Sequence, residues 1–263
     1  ERIMKPSYCL ITGASSGIGT QFAYQYAELG NNLILTGRNK TRLEFLKSHL
    51  ESRYSIIVAI IPLDLSVPDS AQTLYDEVER LGVSVPYLVN SAGFGELQDF
   101  LDTDWIRLQQ MMQVNMYCLS QLCYLFGNKM RKAGGGQIIN VASCAGFSGG
   151  PHMAMYYATK NFVLSLSEGL SVEFLPYHVS VTALCPGPTK TGFEEHANMG
   201  KSVMFSMFPP ENPEKTAQAG MHAAFRKKPA VYHGFVSKVF NIISRLLPRR
   251  IVCKITARVN RKK

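Results

Sequence analysis

Charge is scarce in this chain, and it is unevenly spread. Asp, Glu, Lys and Arg make up 18% of the 263 residues, against roughly 25% in an ordinary globular domain. From Arg226 to Lys263 there is no acidic residue, yet 12 of the 28 Lys and Arg lie there. The first 225 residues therefore hold 16 basic against 19 acidic side chains, and the net charge of +9 belongs to the tail. A basic tail on a mildly acidic body points to local contact with anionic phosphate or lipid and argues against a nucleic-acid-binding fold. No run of about 18 uncharged apolar residues occurs, so no transmembrane helix is expected, and the start lacks a charged-then-apolar signal pattern. The six cysteines (Cys9, Cys118, Cys123, Cys144, Cys185 and Cys253) have no CxxC spacing, and the six histidines are scattered. Neither a disulfide framework nor a zinc site is expected, no metal is assigned, and a reducing cytoplasm is the expected location. With 21 Gly, 13 Pro and no repeating period, collagen-like, low-complexity and solenoid architectures are excluded.

What the chain does have is 46% hydrophobic residues, enough to bury a full core. Short apolar runs alternate with longer segments of helical period. The strands read as Tyr8–Thr12, Asn32–Thr36, Ser55–Ile61, Tyr87–Asn90, Gln137–Ala142, Val179–Ala183 and Ala230–Tyr232. The helices read as Gly17–Leu29, Lys40–Arg53, Pro68–Leu81, Thr103–Lys132 and Met155–Pro176. Because the runs are nearly all apolar instead of alternating, helices should cover both faces of a doubly wound parallel sheet. No linker divides residues 1–263, so one domain is expected, with a small helical excursion after Pro186.

The first strand leads into Thr12-Gly13-Ala14-Ser15-Ser16-Gly17-Ile18-Gly19, which opens a helix. Glycines there permit a tight turn and let backbone N–H groups approach a pyrophosphate, while the helix points its positive end at that charge. At the end of the second strand stands Arg38, after Gly37 rather than an acid. An acid at this place suits the ribose hydroxyl of NAD, whereas an Arg suits the 2′-phosphate of NADP. NADP(H) is therefore expected over NAD(H), with Ser15 and Ser16 as further donors; taken alone, Arg38 also reads as a solvated surface charge. Asp64 and Leu65 could read an adenine, although Asp64 reads equally as a cap for the next turn. Asn90-Ser91-Ala92-Gly93 offers small residues for close packing on a ribose.

Tyr156 and Lys160 are four residues apart on a helix and share a face, whereas Tyr157, only three before the Lys, points more sideways. A phenol of ordinary pKa near 10 is a poor acid–base group unless its phenolate is stabilised, and a neighbouring ammonium does that. Ser143, at a strand end, is placed to bond a substrate oxygen. Together these residues resemble the short-chain dehydrogenase/reductase family over about Tyr8 to Thr191: TGxxxGxG at Thr12–Gly19, the strand-three acid at Asp64, and YxxxK at Tyr156–Lys160. The usual NNAG stands here as Asn90-Ser91-Ala92-Gly93, a change that the turn should survive. The resemblance implies an α/β fold with one Rossmann-type doubly wound parallel sheet and helices on both faces. It further implies that Asn115 holds a water that links Lys160 to solvent, and that Pro186, Gly187, Thr189 and Thr191 meet the nicotinamide and its phosphate.

The activity implied is hydride transfer between NADP(H) and a small apolar carbonyl or alcohol substrate, with Ser143, Tyr156, Lys160 and Asn115 as the catalytic set. The steroid, 3-ketoacyl and lipid-like classes are the expected substrates. The cofactor set is Gly13, Ser15, Ser16, Gly17, Ile18, Gly19, Arg38, Asp64, Leu65, Asn90, Ala92, Gly93, Tyr156, Lys160, Pro186, Gly187, Thr189 and Thr191. A non-catalytic NADP(H)-binding sensor or membrane-associated scaffold is the alternative. The family implies a homodimer or homotetramer through the long helices Thr103–Lys132 and Met155–Pro176. Phe94, Phe147, Met153, Met155 and the Met- and Phe-rich 193–208 stretch should line the substrate cleft, with a lid over about 192–210. From 235 to 263 the tail interleaves apolar residues at helical spacing with Lys and Arg, and Pro248 splits it into two helices. Such an extension suits an anionic membrane surface, while packing on the body or between subunits competes with that reading.

Overall fold

The computed structural model describes residues 7–192 and 208–261. Seven strands, β1 (Ser7–Thr12), β2 (Asn32–Gly37), β3 (Val58–Pro62), β4 (Ser84–Asn90), β5 (Gly136–Val141), β6 (Val179–Pro186) and β7 (Ala230–His233), form one sheet in the order 3-2-1-4-5-6-7. Every pairing is parallel. Helices make the crossovers: α1 (Gly17–Glu28), α2 (Lys40–Arg53), α3 (Ser70–Arg80), α4 (Trp105–Met112), α5 (Leu119–Ala133), α6 (Ala154–Glu173) and α7 (Pro213–Phe225), followed after β7 by α8 (Phe235–Leu246) and α9 (Arg249–Asn260).

The apolar runs explain the two-sided burial. Leu10, Ile34, Leu88 and Ile138 point to one face, where Leu74 and Val78 of α3 and Leu122 and Phe126 of α5 cover them. Their neighbours Ile11, Leu35, Val89 and Ile139 point to the other face, against Phe22 and Tyr26 of α1, Leu43 and Leu50 of α2 and Ala217 of α7. Successive strand residues alternate between faces, so a strand buried on both sides must be apolar throughout.

Several boundaries differ from the sequence reading, β6 running on to Pro186 for one, and three have a visible local cause. β4 begins at Ser84 instead of Tyr87; Pro86, which has no N–H for a ladder, sits where the β1 pairing shifts register and before the β5 pairing begins at Tyr87. β3 begins at Val58: the Ile57 carbonyl accepts from the Leu33 N–H, but its own N–H goes to the Asn32 side chain. The expected single helix Thr103–Lys132 is two helices separated by a π-helical turn, Gln113–Cys118, that contains Asn115. Such turns collect at functional sites. The expected lid falls largely on 193–207, with Phe193, His196, Met199, Lys201, Met204, Phe205 and Met207, and so lies outside the described residues.

Candidate active site

A cleft of about 830 Å³ runs over the carboxyl ends of the strands and is lined by the segments that follow β1 to β6. It lies where the strand order reverses between β1 and β4, the place at which open α/β sheets form a crevice. The lining includes Gly13, Ser15, Ser16, Gly17, Ile18, Arg38, Asp64, Leu65, Ala92, Gly93, Ser143, Tyr156, Lys160, Pro186, Gly187, Thr189 and Thr191. Gly19, Asn90 and Asn115, which sequence reasoning placed in the cofactor and catalytic sets, are not in the lining.

Those three support it from behind. A Cβ on Gly19 would stand 2.3 Å from the Gly13 carbonyl oxygen, so Gly19 lets α1 start directly beneath the loop. Asn90 is buried; its Nδ2 donates to Asn140 Oδ1 at 2.9 Å, and Asn140 Nδ2 donates to Ser167 Oγ at 3.0 Å. This polar chain runs under the site from β4 through β5 to α6. Asn115 is buried as well. Its Oδ1 accepts from the Phe94 N–H at 3.1 Å, while its Nδ2 donates to the Phe94 carbonyl at 2.9 Å and to Thr159 Oγ1 at 3.0 Å. The Asn115 side chain thus braces the segment after β4 against α6.

At the other end of the cleft the loop after β1 is shaped by close approach. Gly13 has φ +66°, and a Cβ there would lie 2.8 Å from the nitrogen and Cα of Ala92. The same contact is pinned by a residue whose role the sequence did not single out. Thr12 Oγ1 accepts from the N–H groups of both Ser91 and Ala92, at 3.1 and 3.0 Å, so the Ser91 turn keeps its shape. Ser16 is the N-cap of α1 but makes no side-chain capping bond to it. Gly37 leaves room for Ser15, whose Oγ would lie 3.0 Å from a Cβ at that position. Lys40 and Arg42 join Arg38 in the lining. A bare-backbone turn, a helix N-terminus and three cations fit the pyrophosphate and an added phosphate of a dinucleotide. Asp64 lines the cleft too, but its carboxylate accepts from Ser66 N–H and Oγ at 2.9 and 2.8 Å, which makes it also the cap of the next turn.

Ser143, Tyr156 and Lys160, the residues expected to be catalytic, meet at the ends of β5 and α6. Ser143 Oγ accepts from the Ala145 N–H at 3.1 Å and shares a hydrogen bond with the Tyr156 hydroxyl. Burial raises the Tyr156 pKa well above 10, with the Ser143 bond opposing and the Cys144 thiol adding to the rise. Lys160 stands one turn further along α6, on the side of this phenol. Its Nζ lies 5.8 Å from the Tyr156 ring centroid and donates to the Val141 carbonyl at 2.8 Å. Burial of that ammonium brings its own pKa down to about 8. At neutral pH the site thus presents a protonated phenol on Ser143 beside a buried cation.

Other expected residues go elsewhere. Tyr157 lines the cleft but sends its hydroxyl to α9, donating to Asn260 Oδ1 at 3.3 Å. Phe147 packs edge-on against Tyr232 and at a tilt against Phe240 of α8, outside the cleft lining. Phe94 and Met153 do line it, together with Arg107 and Gln110, which no sequence motif marked. Arg107 sits 4.2 Å over the Phe94 ring and bonds Glu96 at 3.1 Å. Thr191 packs against Gly17 across the cleft, and the base of the expected lid is held where Lys190 N–H donates to Glu211 O at 3.0 Å.

The model of the short chain dehydrogenase family matches residues 7–202. The chain is 29% identical over 183 residues to the 7beta-hydroxysteroid dehydrogenase of Mediterraneibacter gnavus, a match that covers 69% of this chain and 68% of that protein. It is 30% identical over 200 residues to the 3-ketodihydrosphingosine reductase of Bacteroides thetaiotaomicron, covering 75% and 70%. A solved short-chain dehydrogenase from Sphingobium yanoikuyae, in complex with NADPH, superposes with a TM-score of 0.80 at 27% identity over 91% of this chain and 93% of that one.

Proposed function

The chain belongs to the short-chain dehydrogenase family, and from that membership we propose that it is an NADP(H)-dependent carbonyl reductase or alcohol dehydrogenase for an apolar ketone or secondary alcohol. The observation that carries this reading is one cleft with Arg38, Lys40 and Arg42 at one end and Ser143, Tyr156 and Lys160 at the other. Three cations and no acid beside Gly37 favour the extra phosphate that distinguishes NADP from NAD. A nicotinamide bound there supplies the hydride in reduction and takes it up in oxidation.

The chain's own groups do the remaining work. Ser143 Oγ holds the substrate oxygen next to the Tyr156 hydroxyl, with which it already shares a hydrogen bond. Because Tyr156 stays protonated through neutral pH, it gives its proton to that oxygen as a general acid in the reductive direction. Lys160 supplies positive charge at fixed distance, and Asn115 holds α6 against the segment after β4 so that this distance does not drift. Phe94 and Met153, with Tyr157 in the wall, give the substrate end an apolar lining suited to steroid, 3-ketoacyl or lipid-like carbonyls. The relatives whose names specify a steroid and a ketodihydrosphingosine support this substrate class. Exposed Trp105, Ile106, Tyr117 and Tyr124, on α4, the π-helical turn and α5, support homo-oligomerisation through those helices.

The test is NADPH oxidation against a panel of apolar ketones, steroids and 3-ketoacyl thioesters, with NADH and Tyr156→Phe as controls. Turnover with NADPH should fall at least about a hundredfold in Tyr156→Phe, the scale for loss of a general acid. Near-normal turnover in that variant would overturn the assignment.

A further inference from the structure

The last two helices are seated in an unusual way. Their body-facing stripes mix polar anchors with apolar contacts: Phe240 packs on Phe147, Val236 lies beside Gly187, and Val252 is buried. Ser237 Oγ donates to the Cys185 carbonyl at 2.6 Å, Thr256 Oγ1 to the Gly149 carbonyl at 2.9 Å, and Asn260 Nδ2 to the Pro151 carbonyl at 3.0 Å, all three side chains being buried. Their outward faces carry large apolar residues too. Phe235 is 69% exposed, Ile242 57% and Leu246 76% on α8, while Ile251 and Ile255 are exposed on α9. An ordinary amphipathic helix on a water-soluble body keeps large apolar side chains off its outward face.

The residues between these apolar side chains are all of one sign. Lys238 and Arg245 share the exposed face of α8, and Lys254 and Arg258 share that of α9. No acid occurs anywhere from Arg226 to the end of the chain. Such a face cannot pair well with a second copy of itself, because a two-fold interface would set cations against cations. Among the described residues no helix is long and apolar enough to cross a membrane. We propose that the outward face of α8 and α9 is a docking surface for an anionic lipid bilayer, in which Phe235, Ile242 and Leu246 enter the headgroup region and the Lys and Arg side chains meet lipid phosphates.

The seat lies at the substrate end of the cleft. α8 packs beside Gly187, which lines the cleft, and α9 holds Gly149 and Pro151 and bonds Tyr157, the neighbour of Tyr156. Docking by this face therefore sets the half of the cleft that takes an apolar substrate close to the phase in which such substrates dissolve. This surface does not depend on the reaction, so its test needs no turnover.

The full chain is sedimented with vesicles of equal parts phosphatidylcholine and phosphatidylglycerol, and in parallel with phosphatidylcholine alone. Binding to the anionic vesicles, weakened by added salt and at least about tenfold stronger than to the neutral ones, is the expected result. Lys254→Gln with Arg258→Gln should lower anionic-vesicle partition about fivefold for each charge removed. Phe235→Ser with Leu246→Ser should abolish the salt-resistant part, and thermal unfolding checks that both variants remain folded. Equal partition of the unaltered chain to both vesicle types, or none, overturns the proposal. It is equally overturned if the apolar double substitution leaves partition unchanged and instead dissociates an oligomer, since the face would then be an interface between copies.

Discussion

Replacing Lys160 by Met should make the protein more stable at neutral pH while abolishing its chemistry. The ammonium is buried, and its pKa falls from 10.5 to about 8. That difference means that holding the proton costs the folded state about 3 kcal/mol relative to the unfolded chain. Met fills similar space without a charge, but it leaves the Val141 carbonyl without the donor now 2.8 Å away, at a cost of about 1 kcal/mol. The net gain at pH 7 is about 2 kcal/mol, or about 4–8 °C in Tm for a chain of this size. The sign depends on pH in a defined way. Above 10.5 the lysine is neutral in both states, so the penalty is absent; as pH falls through about 8 it is fully established. Urea unfolding of both proteins at intervals between pH 7 and pH 10.5 should therefore show the variant's advantage fade and then reverse by the value of the lost hydrogen bond. A variant less stable than the parent at pH 7, or a difference that does not change with pH, would refute the reasoning.

Three further expectations follow from the same geometry. Arg38→Ala should weaken NADPH binding about ten- to a hundredfold and leave NADH nearly unaffected, the range expected for one charge-assisted contact to phosphate; titration of the two cofactors by fluorescence checks it. Gly13→Ala forces a Cβ to 2.8 Å from Ala92 backbone atoms at φ +66°, which should lower stability by about 3 kcal/mol in denaturant unfolding and weaken cofactor binding with it. Ultraviolet titration of the parent minus Tyr156→Phe should show this phenol ionising only above 10, because burial raises its pKa; the stability that its neutral form provides is present below pH 10 and is lost as pH rises through the folded value.

Much of this architecture is legible in the chain because burial on both faces leaves so plain a mark. A run such as Leu10-Ile11 or Ile138-Ile139 has no room for a polar residue, and the intervening helical segments then dictate parallel pairing by crossover. The loop after β1 and the Tyr156–Lys160 pair are equally visible, since their spacing is the chemistry. What stayed hidden are partners without a local pattern. Lys160 reaches a backbone carbonyl 19 positions away, and Tyr157 finds Asn260 across 103 positions. Helical periodicity from Thr103 to Lys132 is preserved well enough through Gln113–Cys118 that the widened turn leaves no break in it. Arg107 carried no mark because nothing in sequence places it over Phe94.

That widened turn divides the labour of what looks like one rod. On its amino side Met111 packs in the cluster with Met153, Tyr156 and Tyr157; on its carboxyl side Leu122, Phe126 and Met130 pack into the sheet. The extra residue sets the phase between those two commitments. Were 113–118 to wind as uninterrupted α-helix with every residue kept, one half would rotate against the other by about 100°. Either the sheet would lose Phe126 or the catalytic cluster would lose Met111, although no side chain of either had been altered. Along this stretch the number of residues sets the phase, while the identity of Asn115 is set by the brace it makes to Phe94 and Thr159.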